Sequence, residues 1–130
     1  MVATLGQTER RKAAQRHGVL AEERVTAVLR KAGWTVLAQN WLGAGAELDI
    51  VVEKPGILRF VEVKARTVMP EDVAELVPLR KQRKLTRGAE AFMTQYPTAA
   101  HDIAFMLALV SGEVGELQVT LMDDPFDGTL

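Results

Sequence analysis

Two short apolar segments hold the residues with the clearest chemical content, Glu47-Leu48-Asp49-Ile50 and Val61-Glu62-Val63-Lys64. Between them Pro55-Gly56 marks a turn, so Glu47 to Val52 and Leu58 to Arg66 read as an antiparallel hairpin. Strand alternation puts Leu48, Ile50 and Val52 on one face, and Glu47, Asp49 and Val51 on the other. In the second strand Val61, Val63 and Ala65 oppose Phe60, Glu62 and Lys64. Matching the apolar faces pairs Ile50 with Val61 and Leu48 with Val63, because a one-residue slip would expose both sets. That register sets Asp49 across from Glu62, and Glu47 across from Lys64.

Directly opposed residues have β-carbons about 4.5–5.5 Å apart, and like charges there repel. Two such carboxylates need a shared proton, full hydration or a cation. Mg²⁺, or Mn²⁺ in its place, is the expected ion, since it takes oxygen ligands and retains water. An isolated Glu-x-Lys says little, and it is the opposed acids that point to a site. Glu22 adds a third carboxylate. At ~100° per residue it borders the apolar stripe of a helix, while Glu23 points away into solvent.

The elements that must position these groups follow from periodicity. Ala21, Val25, Val28, Leu29 and Ala32 recur at helical spacing, and the helix ends at Gly33. Gly18 could interrupt it. His17 is expected exposed on this helix. Thr35 to Gln39 reads as a short strand, followed by a loop over residues 42–46. After the hairpin, Glu71 to Val77 makes a helical turn, and Pro78 opens a helix ending near Pro97. Leu85, Ala89, Phe92 and Tyr96 form its apolar face, and Trp34 and Trp41 are expected to pack at the core or its rim. The continuous run Ile103 to Val110 reads as a central strand covered on both sides, and Leu117 to Met122 as an edge strand. The expected architecture is an α-β-β-β-α-β(-β) sandwich around a mixed sheet, in the α/β class, as one domain over residues 1–130 with residues 1–10 and 124–130 flexible.

The chain has 130 residues, 48% of them hydrophobic and 25% charged, which suits one globular domain. It has no cysteine, which removes disulfides, thiolate metal sites and cysteine nucleophiles. Ser111 is its only serine, and His17 and His101 lack metal-ligand spacing. Gly43-Ala44-Gly45 is neither a phosphate-binding P-loop nor a dinucleotide fingerprint. No apolar run approaches the ~18 residues of a membrane span, and no secretory signal opens the chain, so a cytoplasmic location without membrane contact is expected. The net charge of −1 conceals an asymmetry, because all 16 Lys and Arg precede residue 101. Arg80, Lys81, Arg83, Lys84 and Arg87 fall within eight residues. Such a run is either a solvated helix face or a phosphate-binding stripe.

These motifs resemble one family. Ala21-Glu22, Asn40, residues 46–51 (Ala-Glu-Leu-Asp-Ile-Val), residues 60–66 (Phe-Val-Glu-Val-Lys-Ala-Arg), and Lys81 with Leu85 and Ala89 are similar to the YraN family of small bacterial proteins. His101-Asp102-Ile103 resembles its later Arg-Phe-Asp-Val stretch, and Asp124-Pro125-Phe126 its C-terminal Asp-Ala-Phe. The chain has Ala21 and Ala46 where the family usually has glycine, and Leu42 and Ala44 where bases are common. The resemblance implies the restriction-endonuclease-like fold of archaeal Holliday junction resolvases, with its PD-(D/E)xK arrangement. Asp49 and Glu62 would hold the metal, joined by the Val63 carbonyl. Lys64 would orient or deprotonate the attacking water, and Glu22 would hold a second metal or a metal-bound water.

The expected function is Mg²⁺-dependent endonuclease cleavage of nucleic acid, DNA foremost, with Arg66, Arg80, Lys81, Lys84 and Arg87 gripping phosphates. The alternative is a non-catalytic nucleic-acid-binding module on the same fold. A protein–protein adaptor using Trp41 and Leu42 ranks last. Junction cutting would imply a homodimer, for which the sequence marks no interface.

Overall fold

The computed structural model describes residues 7–68, 71–72, 75–113 and 115–126. The elements are α1 (Gln7–Lys31), β1 (Thr35–Gly43), β2 (Ala46–Lys54), β3 (Ile57–Arg66), α2 (Leu79–Gln95), β4 (Asp102–Ser111) and β5 (Gln118–Asp123). They form one five-stranded sheet in sequence order. β3 and β4 run parallel and the other neighbours antiparallel, so the sheet is mixed. A parallel pair needs a crossover, and α2 supplies it. This is the α-β-β-β-α-β-β order expected from the sequence.

Each helix covers one face of the sheet. Ala21, Val25 and Leu29 of α1 pack on Ile50, Val52, Val61, Met106, Ala108 and Val110. Leu85, Ala89 and Phe92 of α2 pack on Leu48, Val51, Phe60, Phe105, Leu107 and Leu109. The uninterrupted apolar run of β4 therefore feeds both layers, as a doubly covered strand must. Trp41 meets Phe92 edge-on at 5.3 Å, and Trp34 packs against the α1 layer with Lys54 Nζ 4.5 Å above its ring. Among the described residues no helix is long and apolar enough to cross a membrane.

The ends of α1 and α2 follow local chemistry. Gly33 takes φ 94°, and the Gly33 and Trp34 N–H groups donate to the Arg30 and Leu29 carbonyls. That pair of bonds satisfies the orphan carbonyls of the last turn. α1 runs unbroken through Gly18. Ala32 is exposed rather than part of the stripe, and Thr26 is buried in its stead, donating to the Glu22 carbonyl at 2.8 Å. His17 is half-buried, not exposed, because it shares the i, i+4 row of Ala21, Val25 and Leu29; its Nε2 is shielded, with no hydrogen-bond partner among the described residues. Pro78 occupies the extended position just before α2, with ψ 159°, one residue earlier than expected. Tyr96 is 49% exposed, since the helix ends before its ring can enter the core.

β1 is longer than expected. Only Ala44 and Gly45 separate it from β2, both at positive φ (53° and 74°), so a two-residue hairpin turn replaces the predicted loop. At the far end of the sheet, buried Arg59 joins three strands. Its guanidinium meets Asp102 at 3.0 Å and Asp123 at 2.7 Å, and donates to the Leu58 and Asp102 carbonyls. Phe126 is buried against Phe105, with ring centroids 5.8 Å apart. The chain is thus packed as far as Phe126, into the end expected to be flexible from residue 124. Residues 1–6, 69–70, 73–74, 114 and 127–130, which include Pro70 and part of the expected 71–77 turn, lie outside the described residues.

Candidate functional site

The β2–β3 hairpin pairs Lys54 with Ile57 through to Ile50 with Val61, the register that the apolar pattern dictates. One pair further on, at Asp49 and Glu62, regular pairing stops. There the Val63 N–H donates to Asp49 Oδ2 at 2.8 Å, so a carboxylate accepts the main-chain bond where the ladder ends. The alternation of β2 breaks at the same point. Leu48 packs in the α2 layer with Val51, whereas Ile50 and Val52 face α1. This corrects the expectation that Leu48, Ile50 and Val52 share a face. The cause is Asp49, whose side chain turns toward β3 to reach Val63.

β1 bends beside it. Its pairing with β2 passes from Gln39–Ile50 to Trp41–Leu48 without joining Asn40 to Asp49. Asn40 takes φ 50°, a left-handed conformation that asparagine tolerates better than most residues. With its amide oriented to satisfy both neighbours, the Asn40 nitrogen donates to Glu22 Oε2 at 3.2 Å and to Glu47 Oε1 at 3.0 Å. Glu47 is therefore held by Asn40, while Lys64 Nζ pairs with Glu62 Oε1 at 3.5 Å. The cross-strand pair expected between Glu47 and Lys64 gives way to these two contacts.

Position on α2 brings a further cation. Gly88 has no Cβ, and one placed there would meet the Ala46 Cβ at 3.0 Å and Leu48 Cδ2 at 3.2 Å. The bare backbone lets α2 lie close on β2, and the Ala46 methyl fills the space beneath it. Lys81 lies two turns before Gly88 on the same helical face, which directs it toward the sheet. Its charge acts on both Asp49 and Glu62. Arg80, Lys84 and Arg87, by contrast, are exposed at i, i+4 and i+7. Arg66 is exposed at the end of β3, donating to the Ala65 carbonyl at 2.7 Å.

Burial, and the charge of neighbouring acids, make three of these carboxyls weaker acids than usual. Glu62 is only 5% exposed. Burial first, and the charge of Asp49 second, push its carboxyl up to about 7, against the pull of Lys64 and Lys81. Asp49 is also raised, chiefly by burial and then by Glu47, although the Val63 N–H and the two lysines oppose this. Glu22 is raised by burial and by Asp49, with Asn40 holding it back. A cleft of about 470 Å³ opens between α1 and the β1–β2 pair, with Glu22, Thr26, Arg30, Asn40 and Asp49 on its walls.

The structure thus gathers Glu22, Asp49, Glu62 and Lys64 into one region, and adds Asn40, Glu47 and Lys81 to it. Arg66, Arg80, Lys84 and Arg87 are exposed and take no part in these contacts. Among the described residues no three His, Cys, Asp or Glu converge to hold a metal by themselves.

The model of the uncharacterised protein family UPF0102 matches residues 21–110. The chain belongs to this family. A UPF0102 protein of Synechococcus sp. (strain JA-3-3Ab) is 39% identical over 111 residues, covering 80% of this chain and 84% of its own length. Relatives from Azorhizobium caulinodans and Methylorubrum extorquens (strain PA1) are 36% and 35% identical over 91 residues, covering 70% of this chain in each case and 69% and 70% of their own. This is the group that the motifs resembled under the name YraN. Every residue of the cluster lies inside the span matched to UPF0102.

Proposed function

We propose that this UPF0102 protein is a divalent-metal-dependent nuclease of restriction-endonuclease-like fold that hydrolyses phosphodiester bonds in nucleic acid. The observation that supports it is the pair Asp49 and Glu62, carboxylates from adjacent strands, both made weaker acids by burial, with the charge of Asp49 adding to the shift at Glu62. A pair that resists a second negative charge is stabilised by a cation set between its members. The donors fit a hard ion, because they are oxygens without sulfur or imidazole. Mg²⁺ usually takes one or two protein carboxylates, with water and substrate phosphate completing its shell. Two carboxylates at Asp49 and Glu62 therefore suffice, and the Val63 carbonyl would be a further oxygen ligand.

When bound, the ion polarises the scissile phosphate and makes a coordinated water more acidic. The remaining work belongs to the chain. Asp49 is fixed by the Val63 N–H, so its second oxygen presents a single direction. Lys64 is 21% exposed and anchored on Glu62, which leaves its ammonium able to orient a water and to meet negative charge growing on the phosphate oxygens. Lys81 lends a second cation from the facing helix. Arg80, Lys84 and Arg87 form a ridge that would grip flanking phosphates, setting position rather than sequence preference.

The test is cleavage of labelled nucleic acid in Mg²⁺, compared with Asp49→Asn and Lys64→Met. Loss of cleavage in both, with folding intact, is expected. Cleavage that survives in both variants would end this reading.

A further inference from the structure

Asn40 stands in the middle of β1, yet it is bent out of strand conformation at φ 50° and skipped in the pairing with β2. A left-handed residue inside a strand is retained at a cost, even for asparagine. What the bend delivers is the side-chain amide. Its nitrogen reaches an acid on α1 and an acid on β2 together, Glu22 Oε2 at 3.2 Å and Glu47 Oε1 at 3.0 Å. An amide NH₂ has two hydrogens, one for each carboxylate. Both acids also lie close enough to Asp49 to exchange charge effects with it.

We propose that Asn40 is a positioning residue whose amide joins Glu22 to Glu47 in the place of a second cation, so that each chain loads one divalent ion. The amide gives its two hydrogens to one oxygen of each acid, which ties both carboxylates to a neutral donor. Glu22 is thereby committed to Asn40 rather than to a metal of its own. This rests on the reading of Asp49 and Glu62 as the divalent-ion site, and the experiment separates the two.

The full chain is titrated with MnCl₂ by calorimetry, with bound Mn²⁺ counted independently by electron paramagnetic resonance. Asn40→Gly is the principal variant, because glycine takes the left-handed backbone freely while removing the amide. Asn40→Asp is the second. One equivalent is expected for the native chain and two for each variant, since Glu22 and Glu47, released from the amide that ties them, can move together around an ion. Two equivalents in the native chain would overturn the inference. So would one equivalent in Asn40→Gly, or a gain confined to Asn40→Asp, where the added carboxylate and not the lost amide would be the cause. Zero in the native chain with one in Asn40→Gly would keep the role of Asn40 and remove the ion from Asp49 and Glu62. Zero throughout would overturn both.

Discussion

Asp49 Oδ2 accepts the main-chain N–H of Val63 at 2.8 Å, and that bond marks the point where β2 and β3 stop pairing and begin to hold a site. Without it Asp49 would follow the pleat into the α2 layer with Val51. With it, the carboxylate is held between two strands, next to Glu62.

A carboxamide can keep that acceptor while losing the charge. Asp49→Asn should retain stability within about 0.5 kcal/mol, whereas Asp49→Ala should lose on the order of 1–2 kcal/mol by leaving the Val63 N–H unpaired. Urea denaturation of both variants reads the difference. Equal losses would show that the bond to Val63 contributes nothing.

Glu62 predicts a pH dependence of stability. Its folded-state value of about 7 lies above the ordinary 4.5, so the fold favours the protonated carboxyl. The stability this gives is fully present below pH 4.5 and is lost as pH rises through 7. Glu62→Gln removes the titration. The variant should therefore match the native chain at pH 4.5 and exceed it above pH 7, by on the order of 3 kcal/mol. Melting curves across this range provide the measurement, and parallel behaviour of the two proteins would contradict the assignment.

Close packing of α2 on β2 makes a further prediction. Gly88→Ala brings a methyl to 3.0 Å from Ala46 and 3.2 Å from Leu48, and should destabilise by about 1 kcal/mol despite the gain in helix propensity. Part of the loss should be recovered when Ala46→Gly is added. A double-mutant cycle reads this as a coupling of at least about 0.5 kcal/mol. Strict additivity would mean that the two positions do not compete for the same space.

The exposed ridge can be separated from the chemistry. Replacing Arg80, Lys84 and Arg87 together by Gln should lower the slope of log affinity against log salt by roughly 3 on duplex DNA. Metal binding at Asp49 and Glu62 should be unchanged, because all three side chains are exposed. An unaltered slope would place the nucleic acid elsewhere.

The hairpin register was legible because alternating apolar residues from Leu58 to Ala65 and the Pro55-Gly56 turn permit one pairing only. The break at Asp49 was not legible. It depends on a side chain choosing a main-chain N–H over the pleat, which leaves no periodic trace. The bend at Asn40 was not legible either, because the sequence pattern ends the first strand at Gln39, one residue before it. Lys81 was readable, since its i, i+4, i+8 relation to Leu85 and Ala89 puts it on the buried face and apart from Arg80, Lys84 and Arg87. The sequence pattern ends the first strand at Gln39 because the glycines at 43 and 45 suggest a loop, whereas a left-handed Ala44-Gly45 pair closes a tight hairpin. The partners of Arg59 come from positions 102 and 123, too distant in sequence for any local pattern to join.

The most direct measurement is the anomalous difference density of crystals of the native protein soaked in Mn²⁺. The account predicts a single peak between Asp49 and Glu62, within coordination distance of both carboxylates. A peak absent there at saturating Mn²⁺, or found instead between Glu22 and Glu47, would contradict it.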